Sequence, residues 1–163
     1  MNRSLAQRLI VVIILIPIGA VLVALGGWYM VLMVTVIGAY GAWEYWRLFT
    51  QGGYHPSAPV IIAGVLGLVL FRQLFEFSYS DMLLSGLVLV AMGVAVFLFE
   101  RGSSTSAVDF AITLGGILYL GWLGSYMISL RNLPDGLWWF LVVLPPVWAA
   151  AGAAYLVGRK LGR

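Results

Sequence analysis

The sequence has 163 residues, of which 63% are hydrophobic and 9% charged, with a mean hydropathy of +1.03, whereas soluble domains carry about 25% charged residues. That balance excludes a water-soluble fold of this size, and about five to seven spans of about 20 residues each would leave no room for a soluble catalytic domain. The absence of cysteine and the single histidine exclude disulfides, thiolate chemistry and a multi-histidine metal site, and the net charge of +3 comes from bases at the ends of apolar runs, not from a stripe that would bind nucleic acid.

In chain order, apolar runs bounded by charges and turn residues predict helices at 8–25, 28–48, 58–76, 82–100, 107–130 and 137–160. Backbone groups in lipid are satisfied within helices, so the expectation is an all-α, polytopic integral membrane protein of about six transmembrane helices, forming a single transmembrane domain. The first run is read as a retained span. Arg3 and Arg8 precede it, but Leu9 to Leu25 is long for a cleaved leader and another apolar run follows at once. Gly26-Gly27 is the only punctuation between the first two helices, and Pro17 is expected to kink the first. Later breaks fall at Gln51 to Pro56, at Gly102 to Thr105 and at Asn132 to Gly136. Ser78 with Asp81, and Ser106 with Asp109, have the spacing of capping boxes at the starts of helices four and five. Helix five offers Gly115, Gly116, Gly121 and Gly124 as a close-packing face, and helix six repeats Ala150, Ala154 and Gly158 every fourth position. Pro145-Pro146 is expected to break or bend helix six.

Orientation follows from the bases on alternate sides of the spans. Arg3, Arg8, Arg47, Arg101, Arg159, Lys160 and Arg163 fall on one side, and only Arg72 and Arg131 on the other. The excess predicts two cytoplasmic termini in a cell inner (plasma) membrane. The C-terminal cluster of Arg159, Lys160 and Arg163 reads equally as an electrostatic anchor or as a patch that binds phosphate on lipid or nucleotide.

Acids in or beside lipid are costly, which makes Glu44, Glu100 and Asp109 the first places to look for function. Each also has a structural explanation: Glu44 stands three residues before Arg47, Glu100 adjoins Arg101 at an interface, and Asp109 belongs to a capping box. Trp28, Tyr29, Trp43, Tyr45, Trp46, Trp138 and Trp139 lie near span ends, as in an interfacial aromatic belt. His55, beside Pro56, reads as a solvated loop residue.

Several segments together resemble the bacterial phosphatidate cytidylyltransferases, or CDP-diacylglycerol synthases. They are Gln7 to Ile10 entering the first span, Ala42-Trp43-Glu44-Tyr45-Trp46-Arg47-Leu48 ending the second, Gly115 to Trp122 in the fifth, Leu130 to Gly136 after it, and Val147-Trp148 through Ala154-Tyr155 to Arg163. The resemblance covers the whole chain but only the N-terminal portion of the family's fold. It implies transfer of a cytidylyl group from CTP to phosphatidate, giving CDP-diacylglycerol and pyrophosphate with Mg2+ held by carboxylates. It also implies membrane lipids, phosphatidate among them, and CTP as partners, and makes Arg159, Lys160 and Tyr155 candidate contacts for a phosphate or headgroup. It assigns no catalytic residue here and no complete metal site. The family pattern has an aspartate three residues after the tryptophan matching Trp148, where this sequence has Ala151. The family also continues into a serine-proline-lysine-lysine-threonine motif and a lysine- and aspartate-rich signature that do not occur before Arg163. These departures predict a truncated, frameshifted or degenerate member, inactive alone. The alternative is a noncatalytic membrane interaction or scaffold protein that packs partner helices, or a second copy of itself, through its glycine and alanine faces. A small transporter is disfavoured by the lack of buried charge pairs and of paired interrupted helices.

Overall fold

Lipid offers the backbone no hydrogen-bonding partner, and the described residues answer with helices joined by short turns. The computed structural model describes residues 15–161, and in the last helix the side chains of residues 145, 148, 151, 155, 156 and 159–161 lie outside that description. The elements are α1 (Leu15–Leu25), α2 (Gly27–Gln51), α3 (Ala58–Phe75), α4 (Ser80–Glu100), α5 (Ser106–Asn132) and α6 (Gly136–Leu161), with no strand among the described residues. Among the described residues, helices α3, α4 and α5 are long and apolar enough to cross a membrane, and the described part of α1 is apolar as well. Leu32, Ile37, Leu89, Val96 and Phe99 are all more than half exposed, which suits a surface bathed in lipid. The chain is thus an all-α integral membrane protein.

At one end of the bundle the α1–α2 turn meets the end of α5. Gly26 and Gly27 take positive φ values of 67° and 50°, a conformation glycine adopts without steric cost. Arg131 closes α1 here: its Nε donates to the Val23 carbonyl at 2.7 Å and its Nη2 to that of Ala24 at 2.9 Å. A cation thus satisfies carbonyls that the helix end leaves orphaned, where the helix dipole favours positive charge.

α3 runs through the centre. Its Ile61, Val65 and Val69 are completely buried, the first two against Ala42 of α2 and the third in a larger cluster with Val31, Val34 and Ile128. The glycines of α5 let it approach closely. A Cβ on Gly116 would stand 2.9 Å from the Tyr45 ring, and one on Gly121 would stand 3.0 Å from the Val65 Cα. Gly64 of α3 reciprocates by facing the side chain of Ile117. Between these contacts, Ile117–Trp122 forms a π-helical segment, a local widening that commonly marks a constrained place in a helix. Gly124 faces open space and takes no part in this packing. Gly121→Ala is therefore expected to destabilise by about 1–3 kcal/mol through overpacking. Gly124→Ala should instead gain up to about 1 kcal/mol from helix propensity. Thermal unfolding of the two variants in one detergent checks this opposition of sign.

Other expectations are corrected. Neither capping box forms. Helices α4 and α5 begin without a side-chain cap, because Tyr79 adopts a left-handed φ of 60° before α4 and Asp109 is committed elsewhere in α5. Pro145-Pro146 does not break α6, which continues from Gly136 to Leu161. Tyr45 is not a belt residue, since its hydroxyl donates to the Ile112 carbonyl at 3.0 Å and its ring lies on Gly116. Pro17 lies within the described part of α1, while Arg3 and Arg8 lie outside the described residues.

Candidate functional site

The opposite end of the bundle is built from two helix ends closed in the same way. At the end of α2, the Tyr54 N–H donates to the Phe49 carbonyl at 3.2 Å and the Gly53 N–H to that of Thr50 at 3.1 Å. At the end of α4, the Ser103 N–H donates to Leu98 at 3.1 Å and the Gly102 N–H to Phe99 at 2.9 Å. Each is a Schellman closure with glycine at the left-handed position, Gly53 at φ 88° and Gly102 at φ 89°. Two polar loops, residues 54–57 and 103–105, are thereby delivered to the start of α5.

Asp109, in the first turn of α5, ties the two loops together. It is only 3% exposed, and a buried carboxylate must be well hydrogen-bonded to be tolerated. Its Oδ1 accepts the His55 backbone N–H at 2.6 Å, and its Oδ2 accepts the Thr105 hydroxyl at 2.8 Å. One turn further on, Thr113 Oγ1 accepts the Ser57 N–H at 3.1 Å. The capping explanation of Asp109 is thus replaced by a long-range one: the carboxylate binds the amide of a loop 54 positions away in sequence. The helix dipole still favours its charge there. His55 has an exposed side chain, as expected of a loop residue, but its backbone is fixed.

The remaining acids of this end are not gathered. Glu44 and Glu100 are exposed. The expected Glu44–Arg47 pair does not form among the described residues, because the Arg47 guanidinium lies over the Trp43 ring, 5.4 Å from its centroid. Among the described residues no three histidine, cysteine or carboxylate side chains come together as a metal site. The Mg2+ implied by the family resemblance calls for free carboxylate oxygens. Asp109 does not fit, with both oxygens already accepting short hydrogen bonds.

A second polar feature, which the sequence did not single out, lies at the other end. Arg72, read as a base on the outer side, is 2% exposed. Its guanidinium sits 3.9 Å from the Phe77 ring centroid, 4.7 Å from Trp122 and 5.1 Å from Tyr126. Its Nε donates to Ser125 Oγ at 3.3 Å and its Nη1 to the Glu76 carbonyl at 3.2 Å. This knot joins the end of α3 to the second half of α5. Spacing alone could not reveal it, because rings at positions 77, 122 and 126 meet only in the fold.

Tyr155, Arg159 and Lys160 fall in the last two turns of α6, where their side chains, like that of Ala151, lie outside the described residues; Arg163 lies beyond them. The small residues Ala149, Ala150, Gly152, Ala153, Ala154 and Gly158 of the same half-helix are exposed.

Comparison with known proteins adds to this geometry. A family model described as the cytidylyltransferase family matches residues 6–163. A phosphatidate cytidylyltransferase of Synechocystis sp. is 27% identical over 186 aligned positions, covering 96% of this chain and 61% of its own length. The chain thus spans about three fifths of the curated relative it matches. No solved structure matches. The match over nearly every residue, including both turns that carry the polar loops, means that this chain belongs to the cytidylyltransferase family.

Proposed function

We propose that the chain contributes to cytidylyl transfer from CTP to phosphatidate, giving CDP-diacylglycerol and pyrophosphate for phospholipid synthesis at the cytoplasmic face of a cell's inner membrane. The observation that carries this reading is the family match over residues 6–163. The locked polar loops and Arg101 at one end of the bundle support it, as does the basic end of α6, a long helix that starts at the opposite end. A positive end next to anionic headgroups suits both phosphate-bearing substrates.

The metal would be held by carboxylates supplied outside these 163 residues. The sequence contains six acids, and they divide three and three between the two ends: Glu44, Glu100 and Asp109 against Glu76, Asp81 and Asp135. Nucleotidyl transfer needs carboxylates that converge on metal ions bridging the phosphates, which this division does not offer. The exposed small face of α6 would admit a neighbouring helix bearing such groups. The same face favours the second reading, a noncatalytic scaffold protein.

Labelled CTP, phosphatidate and Mg2+ in mixed micelles provide the test, beside a full-length family member. The 163 residues alone are expected to give no CDP-diacylglycerol. Co-reconstitution with the remaining portion of the family's fold is expected to restore it. Product from the chain alone would mean that Glu44, Glu100 or Asp109 holds the metal after all; no product from the co-reconstituted pair would leave the scaffold reading.

A further inference from the structure

Between the two Schellman-closed helix ends lies an open recess of about 510 Å3, lined chiefly by Gly53, His55, Arg101, Ser103, Ser104 and Thr105. It differs in kind from a recess of about 460 Å3 at the opposite end, whose walls are Phe77, Leu123, Tyr126, Met127 and other mostly apolar side chains. No carboxylate lines the polar recess. Asp109 lies behind its wall, with its two oxygens turned to the His55 N–H and the Thr105 hydroxyl. Glu100, next to Arg101 in sequence, is exposed and is not part of the lining.

We infer that this recess recognises a phosphomonoester. Three features point to that class. The Arg101 guanidinium stacks on the Phe97 ring, 4.2 Å from its centroid, which fixes its plane and leaves its N–H edge for bidentate contact with phosphate oxygens. Ser104 Oγ is an exposed hydroxyl donor beside it, and Ser103 Oγ, 3.4 Å from Thr105 Oγ1, is a further donor when it turns. The third is rigidity. The helix-end closures and the Asp109 ties set both walls before any ligand arrives, so little ordering is needed on binding. The recess lies at the end of α4, whose Val96, Phe97 and Phe99 are more than half exposed, so acyl chains could run along that flank while their phosphate enters. The phosphomonoester is thus either lipid-borne, as in phosphatidate, or soluble, as in inorganic phosphate or the terminal phosphate of a nucleotide. Naming phosphatidate rests on the cytidylyl-transfer reading; the recess and its test do not.

The test uses the full chain in detergent micelles and reads binding without turnover, by native mass spectrometry and by thermal shift. The probes are short-chain phosphatidate, phosphatidylcholine with the same chains, inorganic phosphate and CTP. Phosphatidate is expected to bind more tightly than phosphatidylcholine, and Arg101→Gln to weaken it at least about tenfold by removing charge-assisted hydrogen bonds. Arg47→Gln, at an exposed base of the same end that does not line the recess, should leave binding unchanged. Ser104→Trp, which fills the recess from an exposed position, should match Arg101→Gln without altering thermal stability. Competition by inorganic phosphate or CTP would assign the soluble source, and its absence the lipid-borne one. Equal losses from Arg101→Gln and Arg47→Gln, or phosphatidate binding no tighter than phosphatidylcholine, would overturn the proposal. Because these readings need no CDP-diacylglycerol, failure of cytidylyl transfer and failure of the recess are separate results.

Discussion

Arg72→Ala is expected to lower the stability of the folded protein by about 3 kcal/mol, with Arg72→Lys recovering little of the loss. Truncation would open a cavity among Phe77, Trp122 and Tyr126, and would leave Ser125 and the Glu76 carbonyl without their donor. Lysine carries the charge but not the planar fork, so it cannot stack on three rings while reaching two acceptors. The decisive variant is Arg72→Met. It keeps the apolar stem and removes a buried charge, a replacement that can be neutral or favourable when packing is good. If the knot holds α3 to α5, Met should fall between arginine and alanine in thermal unfolding, and the Trp122 fluorescence should change in every variant. Were Arg72→Ala as stable as the native chain, the aromatic cage would contribute nothing to holding the bundle.

Arg72 also marks where sequence reasoning stops. A base at the end of an apolar run ordinarily extends its charge toward the interface, and nothing within a few residues of position 72 contradicts that. Its partners at 122, 125 and 126 belong to a helix some 50 positions later. The membrane class was legible because composition alone decides it, and the closeness of α5 was legible because Gly116 and Gly121 lack the atoms that would collide. Which helix each glycine meets was not. Local patterns misled where a distant group competed successfully: the Ser106–Asp109 spacing is that of a capping box, yet the His55 amide claims the carboxylate. Before α4, the left-handed Tyr79 moves the helix start to Ser80 and takes Ser78 out of capping register. The two loops of the polar end were seen as breaks, but that both close on a left-handed glycine and converge on α5 is a property of the fold.

The second large effect is expected at Asp109. Asp109→Ala should leave the His55 N–H without its acceptor beside a buried wall, an omission that costs about 1–3 kcal/mol. The loss is local to the loop, so the amide protection of His55 should fall by about tenfold to a hundredfold while that of α3 changes little. Asp109→Asn is predicted to be milder. Its carbonyl still accepts the His55 amide, and the Thr105 hydroxyl can turn to accept from its NH2, so only the charge assistance is lost, about 1 kcal/mol. Hydrogen exchange read by mass spectrometry on the loop peptide would give the order native, Asn, Ala. Thr105 binds Asp109 and also lines the polar recess, so the same order should appear in phosphatidate binding although Asp109 does not line the recess. If exchange in the loop is unchanged by Asp109→Ala, the carboxylate does not hold it, and the two walls of the recess must be set by their helix-end closures alone.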